Sequence, residues 1–165
     1  MKSVLLKRMA IAIIAVVMMS VSAVAQQKGD KAVGGNLLFG TADSYSNIGI
    51  GAKFLYNVTD PIRLAAEFDY FLEKDNISMW DFSVYGHYLF SIADKLTVYP
   101  SVGLGMVDVS VTVLGFTVSS NDFALSLGGG IDYELTSNLA LTGGIRYKIK
   151  DGSRLNLLVG IAYKF

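Results

Sequence analysis

From residue 31 to the end, the chain alternates bulky apolar residues with small or charged ones at a period of two, and the alternation keeps charge off one side through the middle of every run. One parity carries Ile48, Ile50, Phe54 and Tyr56, then Ile62, Leu64, Phe68 and Tyr70, then Trp80, Phe82, Val84 and Tyr88, and continues in this way to Leu157, Val159, Ile161, Tyr163 and Phe165. Every charge in the middle of a run falls on the other parity: Lys53, Arg63, Glu67, Asp69, Asp81, Asp132, Glu134, Arg146, Lys148 and Lys164, with His87 beside them. Period two means strands whose successive side chains face opposite ways. Eight such runs are expected, at about 31–40, 47–57, 62–72, 78–90, 96–108, 122–135, 139–149 and 154–165, separated by clusters of Gly, Asn, Asp and Ser. Most match the roughly 9–11 residues that a tilted strand needs to cross a bilayer.

The charge-free face decides between water and lipid. A soluble barrel turns its polar face outward and covers it with long charged side chains. Here the second face is full of small residues, among them Gly49, Gly51, Ala65, Ser83, Gly103, Gly105, Gly128 and Gly144. Small side chains mixed with a few opposite charges suit a crowded interior, and eight strands close around a bore just wide enough to be filled by side chains. A large uncharged apolar exterior would aggregate in water. In lipid it is required, because Arg or Lys at the bilayer midplane costs roughly 2–4 kcal/mol. The expected fold is all-β, an eight-stranded antiparallel up-and-down transmembrane β-barrel.

The first 25 residues stand apart from this pattern. Lys2, Lys7 and Arg8 precede an apolar stretch from Met9 to Met19, and Ala23-Val24-Ala25 offers a small-residue cleavage site. That is the pattern of a cleaved signal peptide over 1–25, and its apolar core is shorter than the roughly 20 residues of a spanning helix. The barrel domain is then 26–165, with eleven basic against fourteen acidic residues and a net charge of −3. Such a charge carries no footprint for nucleic acid. The absence of cysteine and the single histidine leave no thiolate or two-imidazole metal site and no catalytic thiol, so neither a metal nor a cofactor is expected.

Aromatic residues and connections orient the barrel. Tyr56, Tyr88, Phe90, Tyr133, Tyr163 and Phe165 fall at one end of the strands, and Phe39, Phe68, Tyr70, Trp80, Phe82, Phe123 and Tyr147 at the other, as two interfacial girdles would. Connections two, four and six are compact, and the odd-numbered ones longer, so both termini are expected to face the periplasm. The fifth connection, Val109 to Asn121, is unusual: Val109, Val111 and Val113 continue the alternation past the rim and Gly115 allows a turn, so a projecting hairpin is expected. Pro100 cannot donate to a strand ladder, and a bulge or local break is expected there.

With these features the chain resembles the small eight-stranded outer-membrane proteins of the OmpA/OmpX type, within the broad outer membrane protein beta-barrel domain family. The resemblance covers the whole of 26–165 and rests on architecture. Its best local match is the C-terminus, where Gly160, Tyr163 and Phe165 look like the family's terminal assembly signal, with Leu158 departing from the polar residue the pattern prefers. The resemblance implies the outer membrane of a Gram-negative-type cell, outer-membrane lipid as surroundings, the barrel-assembly machinery as a partner during biogenesis, and a monomer.

Catalysis has little to rest on. Lipid A deacylase barrels use a His-x-Ser pair, whereas His87 is followed by Tyr88 and Leu89. By parity His87 points inward, with Asp81 or Ser83 as expected acceptors. The paired carboxylates Glu67/Asp69 and Asp132/Glu134 suit general acid–base work in principle, but are better read as neutralising Lys53, Arg63, Arg146, Lys148 and Lys164 across the lumen, since a lone buried charge costs several kcal/mol. Gly128-Gly129-Gly130 and Gly143-Gly144 precede no helix and no Lys-Ser/Thr, so they are not phosphate loops. The expectation is a non-enzymatic barrel with a structural or surface-interaction role. Its loop 109–121 is presented outside for an extracellular protein partner, with Val111, Val113 and Phe116 as candidate contacts by edge pairing. The alternatives are a narrow channel for ions or small solutes and, third, a barrel enzyme acting on lipid.

Overall fold

The computed structural model describes residues 27–43, 45–150 and 153–165, so the expected signal peptide lies outside the described residues. Nine strands run in chain order: β1 (Lys31–Ala42), β2 (Tyr45–Asn57), β3 (Ile62–Lys74), β4 (Ile77–Tyr88), β5 (Phe90–Ala93), β6 (Leu96–Val113), β7 (Phe116–Glu134), β8 (Leu139–Ile149) and β9 (Arg154–Lys164). All pairings are antiparallel, and β1 meets β9 from Ala32↔Lys164 to Thr41↔Leu155, which closes the sheet. Both β4 and β5 pair with β6, so they are two pieces of one stave, and the barrel has eight. Closure leaves no free sheet edge within the barrel wall, the condition for a β-structure in lipid.

Pro100 explains the split stave. The β4–β6 ladder runs to His87↔Ser101 and resumes at Phe90↔Val98, so the gap lies opposite Tyr99 and Pro100. A proline there has no N–H to give to Tyr88. Leu89 instead donates its N–H to Pro61 O, at 2.7 Å, across the β3 side. On its other side Pro100 stays in register with Gly129, and the alternation of faces passes through it unshifted. The break leaves Phe90 only 7 % exposed with its ring 4.9 Å from Tyr88, so it does not stand in the girdle as expected.

The outer parity is the exposed one. Ile50, Val102, Val159 and Ile161 each keep about half of their surface open, as an exterior made for lipid requires. The inner parity is buried and holds nearly all of the buried charge. Leu38, Phe71, Met79, Val107, Ala124 and Leu158 form an apolar layer across the bore, with Val109 packed against it. Phe71 and Met79 lie just before and after the β3–β4 turn, so this layer sits at the end of the barrel away from the termini.

The fifth and sixth runs are much longer than 96–108 and 122–135. They form one hairpin ladder out to Val113↔Phe116, closed by Leu114 and Gly115 with φ of 50° and 81°. Two consecutive positive φ values are what a tight two-residue hairpin turn uses, because their twist matches that of the strands. Gly115 takes this conformation freely, and Leu114 takes it at a cost that the long ladder offsets.

Candidate functional site: the filled lumen and the projecting hairpin

The lumen is built in layers because inward residues of neighbouring strands meet at the same height. Nearest the termini, Arg63 from β3 reaches across to Asp132 on β7 at 2.7 Å. Its Nε donates to Nδ1 of His87 at 3.1 Å, and its guanidinium lies 4.7 Å from the Tyr99 ring centroid. His87 stacks on Tyr99 at 4.4 Å. The expected acceptors of its proton, Asp81 and Ser83, are engaged elsewhere: they lie six and four residues away along β4, while His87 lies opposite Arg63.

The next layer holds Arg146 of β8, which donates to both carboxylate oxygens of Glu67 at 2.5 and 2.6 Å, with the Tyr85 ring 4.1 Å below its guanidinium. Such bidentate pairs are among the strongest hydrogen-bonded ion pairs. Lys53 of β2 donates to Asn36 Oδ1 at 2.9 Å and Thr142 Oγ1 at 2.7 Å, with no carboxylate within 4.0 Å. Above it, Lys148 pairs with Asp81, which also accepts from Ser83 at 2.5 Å. Asp69 lies directly opposite Asp81, is 2 % exposed, and its Oδ1 has no hydrogen-bond partner. Gly51 makes room for that carboxylate, since a Cβ there would overlap its Oδ1. The apolar layer follows, and beyond it Arg154 stacks on Phe71 at 4.1 Å while donating to Asn156 at 2.8 Å and to Asn47.

Glu134 and Lys164 are placed at the rim near the termini. Lys164 sits 3.6 Å from Asp30, both partly exposed, and with Glu134 it lines a mouth cavity of about 40 Å³. Several members of the lumen were not singled out by charge and parity. Arg154 was missed because it opens its strand, and Asn36, Asn47, Asn156, Tyr85 and Tyr99 because alternation marks polarity only when a residue is charged. Inward parity was the signal that would have found them.

Ser101 lies opposite His87 in the β4–β6 ladder, but His87 Nε2 and Ser101 Oγ each lack a hydrogen-bond partner, so the two are not joined as a nucleophile and its base. No group of three metal-ligating side chains occurs among the described residues. Gly160 faces Asn36 in the ladder, where any Cβ would meet Gly35 O, while Tyr163 and Phe165 are exposed and the Phe165 N–H reaches Lys31 O at 3.0 Å.

The hairpin has two unlike faces. Val109, Val111, Val113, Phe116 and Val118 share one, continuous with the apolar layer of the lumen. The other carries hydroxyls that bond across the ladder, Ser110 to Ser119 at 2.9 Å and Thr112 to Thr117 at 3.1 Å. Its two edges also differ. The β6 edge is covered by β4 as far as Val111↔Ile77, so Val111 is laddered on both sides and is not a free contact. The β7 edge meets β8 only from Leu125 onward, which leaves 116–124 without a strand partner on that side among the described residues. Val113, Leu114, Phe116 and Val118 are 60, 94, 78 and 71 % exposed.

The model of the outer membrane protein beta-barrel domain family matches residues 11–165. The chain belongs to this family. No curated protein matches its sequence. Among solved structures the barrel is similar to Ail, the attachment invasion locus protein of Yersinia pestis, with a TM-score of 0.63 at 18% identity, covering 85% of this chain and 99% of that one. It is also similar to Neisserial surface protein A, with 0.66 at 17%, covering 82% and 96%, and to the N-terminal β-barrel domain of Pseudomonas aeruginosa OprF, with 0.69 at 16%, covering 84% and 100%. At these identities the likeness is one of fold. Family and fold together make this an outer-membrane barrel of the Gram-negative type, with its apolar exterior in lipid.

Proposed function

We propose that this barrel is a non-enzymatic surface-interaction protein: a rigid filled cylinder that holds the 109–121 hairpin outside the cell for an extended segment of an extracellular protein. The observation that carries this reading is the open β7 edge. From Phe116 to Ala124 the strand runs about 30 Å at roughly 3.3 Å per residue, paired with β6 on one side and with no strand among the described residues on the other. The one charge along this stretch is Asp122, 4.0 Å from Lys150 near the barrel rim; from Phe116 to Asn121 no charge, proline or lysine blunts the edge. Exposed edges without such guards pair readily with another strand, and β-strand addition draws its affinity from main-chain hydrogen bonds and its specificity from alternate side chains. Phe116 and Val118 supply those side chains on one face, Thr117 and Ser119 on the other. Leu114, at the tip, joins Val113 and Phe116 as a contact. In this reading residues 1–25 direct export, and Gly160, Tyr163 and Phe165 are read by the assembly machinery.

Deleting 110–120 should abolish adherence of cells displaying the protein to an immobilised extracellular-matrix surface, while the barrel keeps its gel-mobility shift on boiling. Replacing Thr117 and Ser119 together by lysine, which guards the edge without shortening the hairpin, should act in the same direction. Unchanged adherence in both variants would overturn the reading.

The rival channel reading predicts conduction. The bore narrows from the mouth cavity of about 40 Å³ at Arg63 and Asp132 to one of about 10 Å³ beside Lys53, enough for about one water-sized occupant, and the apolar layer crosses it beyond that point. In planar bilayers the protein should show no steady single-channel current, and a stable ohmic step would favour the channel.

A further inference from the structure

The lumen's charges do not all find each other. Glu67 is held by Arg146, Asp81 by Lys148 and Asp132 by Arg63, whereas Lys53, nine-tenths buried, makes no ion pair within 4.0 Å among the described residues. Its ammonium has three N–H donors and spends two, on Asn36 Oδ1 and Thr142 Oγ1. Beside it lies the cavity of about 10 Å³, walled by Asn36, Lys53, Tyr99, Ser101, Thr142 and the side-chain-free backbone of Gly129 and Gly144, with Arg146 also at its edge. Two of these residues, Asn36 at 6 % exposure and Ser101 at 7 %, carry buried polar atoms with no protein partner, Asn36 Nδ2 and Ser101 Oγ. The amide orientation of Asn36 follows from its neighbour, because Oδ1 accepts from Lys53 and Nδ2 must then be a donor.

The uncommitted groups around the cavity, an ammonium hydrogen, an amide NH2 and a hydroxyl, can all donate, and the cation among them makes no ion pair within 4.0 Å with a described residue although Glu67 lies opposite it in the ladder. Buried charges are paired or the fold loses several kcal/mol, and buried donors are satisfied in nearly all native structures. We propose that this cavity binds a monovalent halide-sized anion, chloride in the natural setting, held by Lys53 Nζ, Asn36 Nδ2 and Ser101 Oγ. The anion completes the charge pairing of the middle layer and locks β1, β2, β6 and β8 together from inside. The inference does not depend on the hairpin reading.

Bromide is the probe. Crystals of the full barrel grown in sodium bromide and measured at the bromine absorption edge should show an anomalous peak among those three atoms. In detergent, the thermal midpoint should rise saturably with bromide and not with gluconate, an anion too bulky for the cavity, at equal ionic strength. At a bromide concentration a hundred times its Kd the unfolding constant should fall about a hundredfold. Lys53→Met should abolish the bromide response, and Ser101→Ala, which removes one donor and no charge, should weaken it, so the test stands even where Lys53→Met fails to fold. Density without an anomalous signal would identify a water and overturn the proposal. So would equal midpoints in bromide and gluconate, or a crystal peak with no solution response, which is binding at crystal concentration only.

Discussion

Glu67→Ala should destabilise the barrel by about 3–5 kcal/mol, the cost of stranding a buried charge. Arg146 is 7 % exposed, both of its bonds to Glu67 are short, and no other carboxylate among the described residues forms an ion pair with it. Without Glu67 the guanidinium keeps only the Tyr85 face, which is worth about 0.5–2 kcal/mol and does not replace two charge-assisted hydrogen bonds. The matching double replacement, Glu67→Leu with Arg146→Met, removes both charges and should recover most of the loss, because an apolar pair of similar size is often neutral or better. By contrast, Asp30→Ala breaks a partly exposed pair and should cost less than about 1 kcal/mol. Urea unfolding of the refolded barrel in lipid vesicles, followed by Trp80 fluorescence and gel mobility, measures all three variants against the parent. A single-variant loss no larger than that of the double variant would show that the lumen network is not held by this pair.

The second large effect is expected on the other face. Val102 lies midway along β6, 52 % exposed, between Gly86 of β4 and Leu127 of β7. Val102→Arg places a guanidinium near the bilayer midplane and should cost about 2–4 kcal/mol in vesicles. The same change at Thr112, on the hydroxyl face of the hairpin beyond the barrel, should stay within about 0.5 kcal/mol, as exposed substitutions do. Equal costs at the two sites would mean that the exposed apolar face does not meet lipid.

Strand count, strand faces and the projecting hairpin were legible in the sequence, because each depends on local chemistry. Val109, Val111 and Val113 announced the hairpin by keeping the period of two, and Gly115 announced its turn. Pro100 announced a break in the ladder, since a missing N–H is a property of the residue itself. The ion pairs were less legible. Parity placed Arg63 and Asp132 on the same interior, but it also put His87 on one face with Asp81 six residues along the same strand, and the β3–β4 register set His87 against Arg63 instead. Parity alone likewise counted Glu134 and Lys164 with the interior, whereas strand ends put them at the rim.

By itself, then, the sequence determined that this chain is a membrane barrel, because a lipid exterior acts on every residue of one parity separately and each must satisfy it alone. Tertiary structure decided which charges meet. Glu67 with Arg146, Lys53 with Asn36, and the open edge of β7 each depend on strand stagger around a closed sheet. Stagger is a property of the whole ring, since every register must add up to closure, and no single strand encodes it.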